Sequence, residues 1–215
     1  MKKAGPTKKN AGQQANPRVK FLDMVPVGAV EAEIGVFRGG FSRRIVNRCK
    51  PAKLHLVDPW QNFEDTSVAS SMYAKESVND MEEIHKSVET AFAAEIASGQ
   101  VEMHQGLSQD ILPGFADESL DFIYLDGDHR YEGLKSDLAQ AMRLVKPGGL
   151  IAADDYTVKG WWKGDVIRAV NEFVGMHAAS LRVAYVQGPQ FVMRKNLPEG
   201  QDLPEGQDLS DAAET

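Results

Sequence analysis

The chain has 215 residues, 42% of them hydrophobic and 26% charged, with a formal net charge of −7. That is enough for one domain with a real core and too little for two ordinary ones, and an acidic domain is a poor binder of polyanions, which argues against nucleic acid as the main partner. Its single cysteine, Cys49, leaves no disulfide within the chain and no cysteine-based zinc site. Charge is unevenly spread. Residues 1–20 hold six Lys/Arg and no acid, residues 196–215 hold six Asp/Glu and no base, so the tails cancel and the net charge belongs to the middle. No apolar run approaches the ~18 residues of a membrane span, and no signal-type apolar region follows the Lys-rich start. A soluble cytoplasmic protein with no membrane partner is expected.

In chain order, residues 1–20 read as a disordered basic arm, and 21–27 as a short lead-in helix or strand. A strand is predicted over 29–34, then a loop at Gly35 and Gly39-Gly40, then a helix over 41–48 closed by Pro51. A second strand over 53–57 ends at Asp58-Pro59-Trp60. Residues 61–78 lack periodicity and read as a loop or lid carrying Phe63 and Tyr73. Asp80 and Glu83 form a capping-box-like start, and Met81, Ile84, Val88, Ala91, Phe92 and Ile96 follow at helical spacing up to Gly99. Strand three is 100–104, a short helical segment lies near 109–112, and strand four is 121–125. The next helix buries Leu134, Leu138, Ala141, Met142 and Val145, and Lys146-Pro147-Gly148-Gly149 stops it. Strand five (150–153), a helix over 165–174 and an antiparallel pair at 181–186 and 190–193 complete a domain of residues 21–195. The acidic tail, 196–215, repeats Leu-Pro-Glu-Gly-Gln-Asp and has too little apolar content for a core. Alternating strands and helices imply an α/β, Rossmann-like doubly wound sheet, mostly parallel.

Four stretches can carry chemistry. Glu33-Ile34-Gly35-Val36-Phe37-Arg38-Gly39-Gly40 joins a strand to a helix, where glycines admit a ligand to the backbone and a helix N-terminus favours negative groups. Phe37 stands where a dinucleotide-binding loop has glycine, which counts against an NAD-dependent oxidoreductase. Asp58, about 20 residues on, can accept hydrogen bonds from both ribose hydroxyls of a nucleoside. Gly106 and Ser108 follow strand three, where the glycine permits close approach of a ligand and the serine can contact it. Asp126, Asp128 and His129 emerge where strand four stops, and Asp154-Asp155 follow the neighbouring strand five. Carboxylates so close repel unless a cation or protons intervene, and hard oxygen ligands suit Mg²⁺ or Ca²⁺, with Mn²⁺ also compatible. His129, with an ordinary pKa of ~6.5, suits a general base.

Glu33-x-Gly35-x-x-x-Gly39, Val57-Asp58-Pro59-Trp60, Asp126-Gly127-Asp128-His129-x-Tyr131-Glu132-Gly133 and Gly148-Gly149-Leu150-Ile151-Ala152-Ala153-Asp154-Asp155-Tyr156 together resemble the class I S-adenosylmethionine-dependent methyltransferases. The resemblance is to the group containing macrocin-type sugar O-methyltransferases and cephalosporin-hydroxylase-like proteins, over residues 29–194. It implies a seven-stranded sheet with a terminal antiparallel hairpin, and S-adenosylmethionine near Glu33, Gly35, Gly39, Asp58, Gly106, Ser108 and Asp126. It further implies Mg²⁺ on Asp126, Asp154 and Asp155, with His129 as base. The implied reaction is O-methyl transfer to a hydroxyl of a small molecule or sugar. A non-catalytic nucleoside-binding module stays open as the alternative, as does self-association into a homo-oligomer.

Overall fold

The computed structural model describes residues 16–64, 71–74 and 79–202. Seven strands, β1 (Val30–Ile34), β2 (Lys53–Asp58), β3 (Val101–Gln105), β4 (Leu120–Leu125), β5 (Val145–Ala153), β6 (Leu181–Gln187) and β7 (Gln190–Lys195), form one sheet. Its order is β3-β2-β1-β4-β5-β7-β6, with β7 antiparallel to both neighbours and the other pairings parallel. The antiparallel β7 between β5 and β6 departs from the 3-2-1-4-5-6 dinucleotide-binding sheet, which weighs further against an NAD enzyme.

The helices are α1 (Pro17–Lys20), α2 (Gly40–Cys49), α3 (Met81–Ala91), α4 (Ala93–Ala97), α5 (Ser108–Ile111), α6 (Tyr131–Leu144) and α7 (Asp165–Met176). Strand β4 shows how the sheet is buried on both faces. Phe122 and Tyr124 join the core that α2 and α3 cover through Ile45 and Val88, while Ile123 and Leu125 join the one that α6 and α7 cover through Leu138 and Val170. Apolar residues at consecutive strand positions are what a doubly covered parallel strand requires.

Three expectations are corrected. Residues 17–20 are helical rather than part of a disordered arm: Asn16 Oδ1 accepts the Arg18 N–H at 3.1 Å, and Pro17 occupies the first turn. A 3₁₀ turn (Phe21–Met24) then sinks Phe21 and Leu22 into the core, with the Phe21 ring 5.8 Å from that of Tyr124. The helix expected over 80–99 is interrupted at Phe92. Strand β5 begins at Val145, not 150. Leu120 pairs with Val145 and Phe122 with Leu150, so residues 146–149 bulge opposite Asp121 alone. The bulge is held by Lys146 Nζ on Asp121 Oδ1 (2.7 Å) and by Arg194 Nη1 on the Gly148 carbonyl (2.7 Å). The lid expected over 61–78 is described only at 61–64 and 71–74, and the second copy of the repeat in the tail, 203–208, lies outside the described residues.

Glu31, in β1, is fully buried, and neither carboxyl oxygen has a hydrogen-bond partner among the described residues. Burial, aided by Asp121, pushes it up to about 9. An acid that stays protonated in the folded state stabilises fully below its unfolded pKa, and that contribution is lost as pH rises towards the folded value. Wild-type stability should therefore fall between about pH 5 and 9, with up to about 1.4 kcal/mol per pH unit from this group. Urea denaturation across that range should show a shallower slope for Glu31→Gln; parallel slopes would remove Glu31 as a source.

Candidate active site

A cavity of about 700 Å³ opens at the carboxyl edge of the sheet, within the 300–1,000 Å³ typical of small-molecule sites. One half is built by the loops after β1, β2 and β3. Asp58 is fully buried, and its oxygens accept from Val36 N (2.8 Å), Phe37 N (2.9 Å), Trp60 N (2.6 Å) and the Tyr73 hydroxyl (2.5 Å). It thus lines the cavity with both oxygens already engaged. A ribose hydroxyl would share Asp58 with the loop it holds, and Tyr73 is the partner that stands outside the strand–loop frame.

Glu33 also lines the cavity, accepts from the Ser42 hydroxyl, and is pushed up to about 8, chiefly by burial. Gly106 and Ser108 line it too, but the Ser108 hydroxyl is directed at Asp137 Oδ1 (2.6 Å) rather than into the space. Packing also demands the two motif glycines. Gly35 (φ +87°) lies so close to the loop after β4 that a Cβ would stand 2.1 Å from the Asp126 carbonyl oxygen. Gly39 (φ +70°) does not line the cavity; it caps α2, where a Cβ would meet the Phe92 ring at 2.9 Å.

The other half is the acid cluster. Asp126 and Asp154 converge as expected, but a guanidinium lies between them. Arg18 pairs with Asp126 and sits 3.1 Å from Asp154 Oδ2. Its planar head also faces the Phe41 ring at 4.8 Å and the Tyr124 ring at 5.4 Å. Burial opposes its charge, yet the carboxylates, Asp126 above all, outweigh that and raise its pKa. Asp154 is held on its other oxygen by Gln190 Nε2 and, at 2.7 Å, by the Asp155 N–H. Gln190 in turn accepts from the Tyr124 hydroxyl at 3.0 Å.

Asp155 has a left-handed backbone (φ +58°), uncommon for a residue other than glycine, which aims it away from Asp154 and towards His129. His129 Nε2 lies 2.7 Å from Asp155 Oδ2 and 3.6 Å from Asp126 Oδ1. That nitrogen is buried and has no well-directed hydrogen bond among the described residues, so its contacts with the two acids are ionic. Burial disfavours its charge, but Asp126 and Asp155 prevail and push it up to about 10. The expected base near pH 6.5 is therefore a cation in this arrangement. The atoms that gather within 4.8 Å belong to Asp126, His129 and Asp155, not to the expected three aspartates. Asp126 and Asp155 fit a hard divalent cation such as Mg²⁺ or Mn²⁺, while His129 Nε2, which lacks a directed partner, stands beside them as a proton acceptor rather than a ligand.

Sequence reasoning missed Arg18, Trp161 and Trp162, which also line the cavity. Trp162 packs 4.7 Å from the His129 ring. Asn16-Pro17 is a helix-start signal that points to an ordered Arg18; nothing in the spacing of the Trp pair points to the cavity. Asp128 lines the cavity as well, and it ties its own loop by accepting from Arg130 N at 2.9 Å.

The sequence model of a family described as Methyltransferase domain matches residues 32–156. Several solved structures share the fold. The O-methyltransferase TomG from Streptomyces achromogenes, solved with S-adenosylmethionine, has a TM-score of 0.58 at 18% identity over 86% of this chain and 82% of that one. For the O-methyltransferase NovP the TM-score is 0.60 at 19% identity, over 84% and 80%. An O-methyltransferase from Bacillus cereus, in complex with SAH, gives 0.58 at 18%, over 86% and 83%. No curated protein gave a significant match. Among the described residues no helix is long and apolar enough to cross a membrane.

Replacing Asp58 by Asn should cost at least about 2 kcal/mol, because an amide puts a donor against backbone N–H groups that had a charged acceptor. Urea unfolding measures this, and an unchanged midpoint would mean that the loop holds itself.

Proposed function

From the premise that the chain belongs to the methyltransferase-domain family and is a class I S-adenosylmethionine-dependent methyltransferase, we propose that it methylates a hydroxyl of a small molecule or sugar with a divalent metal at the acid cluster. The observation that carries this reading is that Asp126, His129 and Asp155 converge within 4.8 Å on the cavity that Glu33, Asp58 and the glycine loop also line. Binding alone would not require such a cluster. Phe37, Phe63, Trp161 and Trp162 supply flat apolar walls suited to a ring or sugar face, and the acidic net charge supports a small acceptor over nucleic acid.

The cofactor, when bound, supplies a methyl group activated on sulfonium. The metal, when bound, supplies Lewis acidity to an acceptor oxygen. The rest falls to the chain. The glycine loop, Glu33 and Asp58 would hold the cofactor, and the aromatic walls would orient the acceptor against it; alignment of this kind is worth roughly 7–11 kcal/mol of a barrier. Asp126 and Asp155 would hold the metal. With those carboxylates engaged, His129 would lose the field that keeps it charged and would be the group to take the hydroxyl proton. Arg18 holds the cation position between Asp126 and Asp154 when no metal competes for Asp126.

The deciding assay is methyl transfer from labelled S-adenosylmethionine to panels of glycosides, catechols and polyols, with and without EDTA. Transfer to one class, lost in EDTA and restored by Mg²⁺ or Mn²⁺, is expected. Full turnover in EDTA would remove the metal role, and no cofactor binding in calorimetry would remove the whole reading. His129→Gln should lower kcat roughly 10²–10⁴-fold while cofactor affinity, measured by calorimetry, holds. If Arg18 competes with metal, Arg18→Gln should tighten Mn²⁺ binding at least roughly tenfold, since one nearby charge at a partly screened site is worth that much or more. Equal Mn²⁺ affinity in both chains would rule the competition out.

A further inference from the structure

A second group of donor atoms lies on β2 and β3, none of it in the cavity lining. His55 pairs in register with Glu102, and His104 lies two residues further along β3, so all three side chains share one face of the sheet. His55 Nδ1 and His104 Nε2 are 3.0 Å apart. Glu102 Oε2 is 3.9 Å from His55 Nδ1, and Glu102 Oε1 is 3.8 Å from His104 Nε2. The Phe115 ring packs edge-on against both imidazoles, at 4.8 and 5.4 Å, and fixes their planes.

We propose that His55, Glu102 and His104 form a binding site for a zinc-type divalent metal ion, separate from the active site. Zinc bonds of 2.0–2.1 Å in a tetrahedron place ligand atoms about 3.3 Å apart. With one oxygen of Glu102 as ligand the three donor atoms lie within 4.8 Å of one another, so the nitrogens need only part slightly and the exposed carboxylate swing in by at most about 1.5 Å. Two imidazoles and a carboxylate are a familiar zinc donor set, and such three-residue sites leave a fourth position for water. Glu102 is 48% exposed, which opens that position to solvent. Lys53 Nζ, 2.8 Å from Glu102 Oε2, engages one carboxylate oxygen and leaves Oε1 facing His104.

The placement has a structural consequence. Strand β3 is an outer strand of the sheet among the described residues, paired there with β2, and it runs directly into Gly106 and Ser108 in the cavity wall. A metal clip from His55 to His104 would tie that strand to its neighbour two residues before the wall begins. Because the ion would bind the folded chain alone, it should also raise Tm.

The test uses the full chain, free of any affinity tag, titrated with Zn²⁺ in calorimetry and with Co²⁺ by visible absorption. Asp126→Asn/Asp155→Asn disables the active-site cluster and should retain one Zn²⁺ equivalent and tetrahedral Co²⁺ bands. His55→Gln/His104→Gln should lose them, and the solvent-exposed Glu102→Gln, which spares the packed rings, should weaken Zn²⁺ binding at least about tenfold. Zn²⁺ stoichiometry and affinity unchanged in the Glu102 and histidine variants would overturn the proposal, as would an aspartate variant that binds no Zn²⁺. Because the aspartate variant is read separately, failure of the metal reading at the active site is distinguishable from failure here.

Discussion

Asp58 is the tie on which the half of the cavity built by the loops after β1, β2 and β3 depends. A carboxylate with no exposure is costly unless its oxygens are satisfied, and here three backbone N–H groups and a tyrosine hydroxyl satisfy them. Those donors come from the loop after β1, the loop after β2 and the segment at Tyr73. Two of them, Phe37 (φ +50°) and Trp60 (φ +40°), sit in left-handed backbone that non-glycine residues adopt at a cost. Trp60 Nε1 also donates to the Phe37 carbonyl at 2.9 Å, and Gly106 N to the Asp58 carbonyl at 3.0 Å. The buried charge therefore holds strained loops that glycine alone does not explain.

The acid half follows the opposite logic. Asp126, Asp154 and Asp155 emerge from neighbouring strands, and their mutual repulsion must be met by cations or protons. In this structure Arg18 and His129 meet it. Burial and its neighbouring acid raise the Asp154 pKa, with Arg18 opposing. Three acids facing two protein cations make a place where a further positive charge is welcome and where any metal must contend with the chain's own guanidinium. The anchor of that guanidinium lies three residues away, where Phe21 is locked among the rings of Phe41, Phe122 and Tyr124.

Several features were legible in the sequence because local rules decide them. The alternation of apolar runs and amphipathic stretches dictates a doubly covered sheet, and acids after strands four and five must surface at its carboxyl edge, because parallel strands all end there. The bulge at Lys146–Gly149 was not legible: Pro and Gly announce a break, but only pairing with Asp121 and Arg194 shows that the strand begins before it. Arg18 was hidden by its surroundings, since a polar, basic composition outweighed the short Asn16-Pro17 helix start.

The sequence by itself determined the order of strands and helices, the glycine loop, and the set of carboxylates available at one edge, because these depend on periodicity and on backbone freedom a few residues apart. Only the tertiary structure decided which donor each carboxylate meets. Asp58 turns to the loop backbone, Asp154 to Arg18 and Gln190, and Asp155 to His129. Those choices are made by competition among hydrogen-bond and charge partners from 15 to more than 100 residues apart, and no local pattern encodes the outcome.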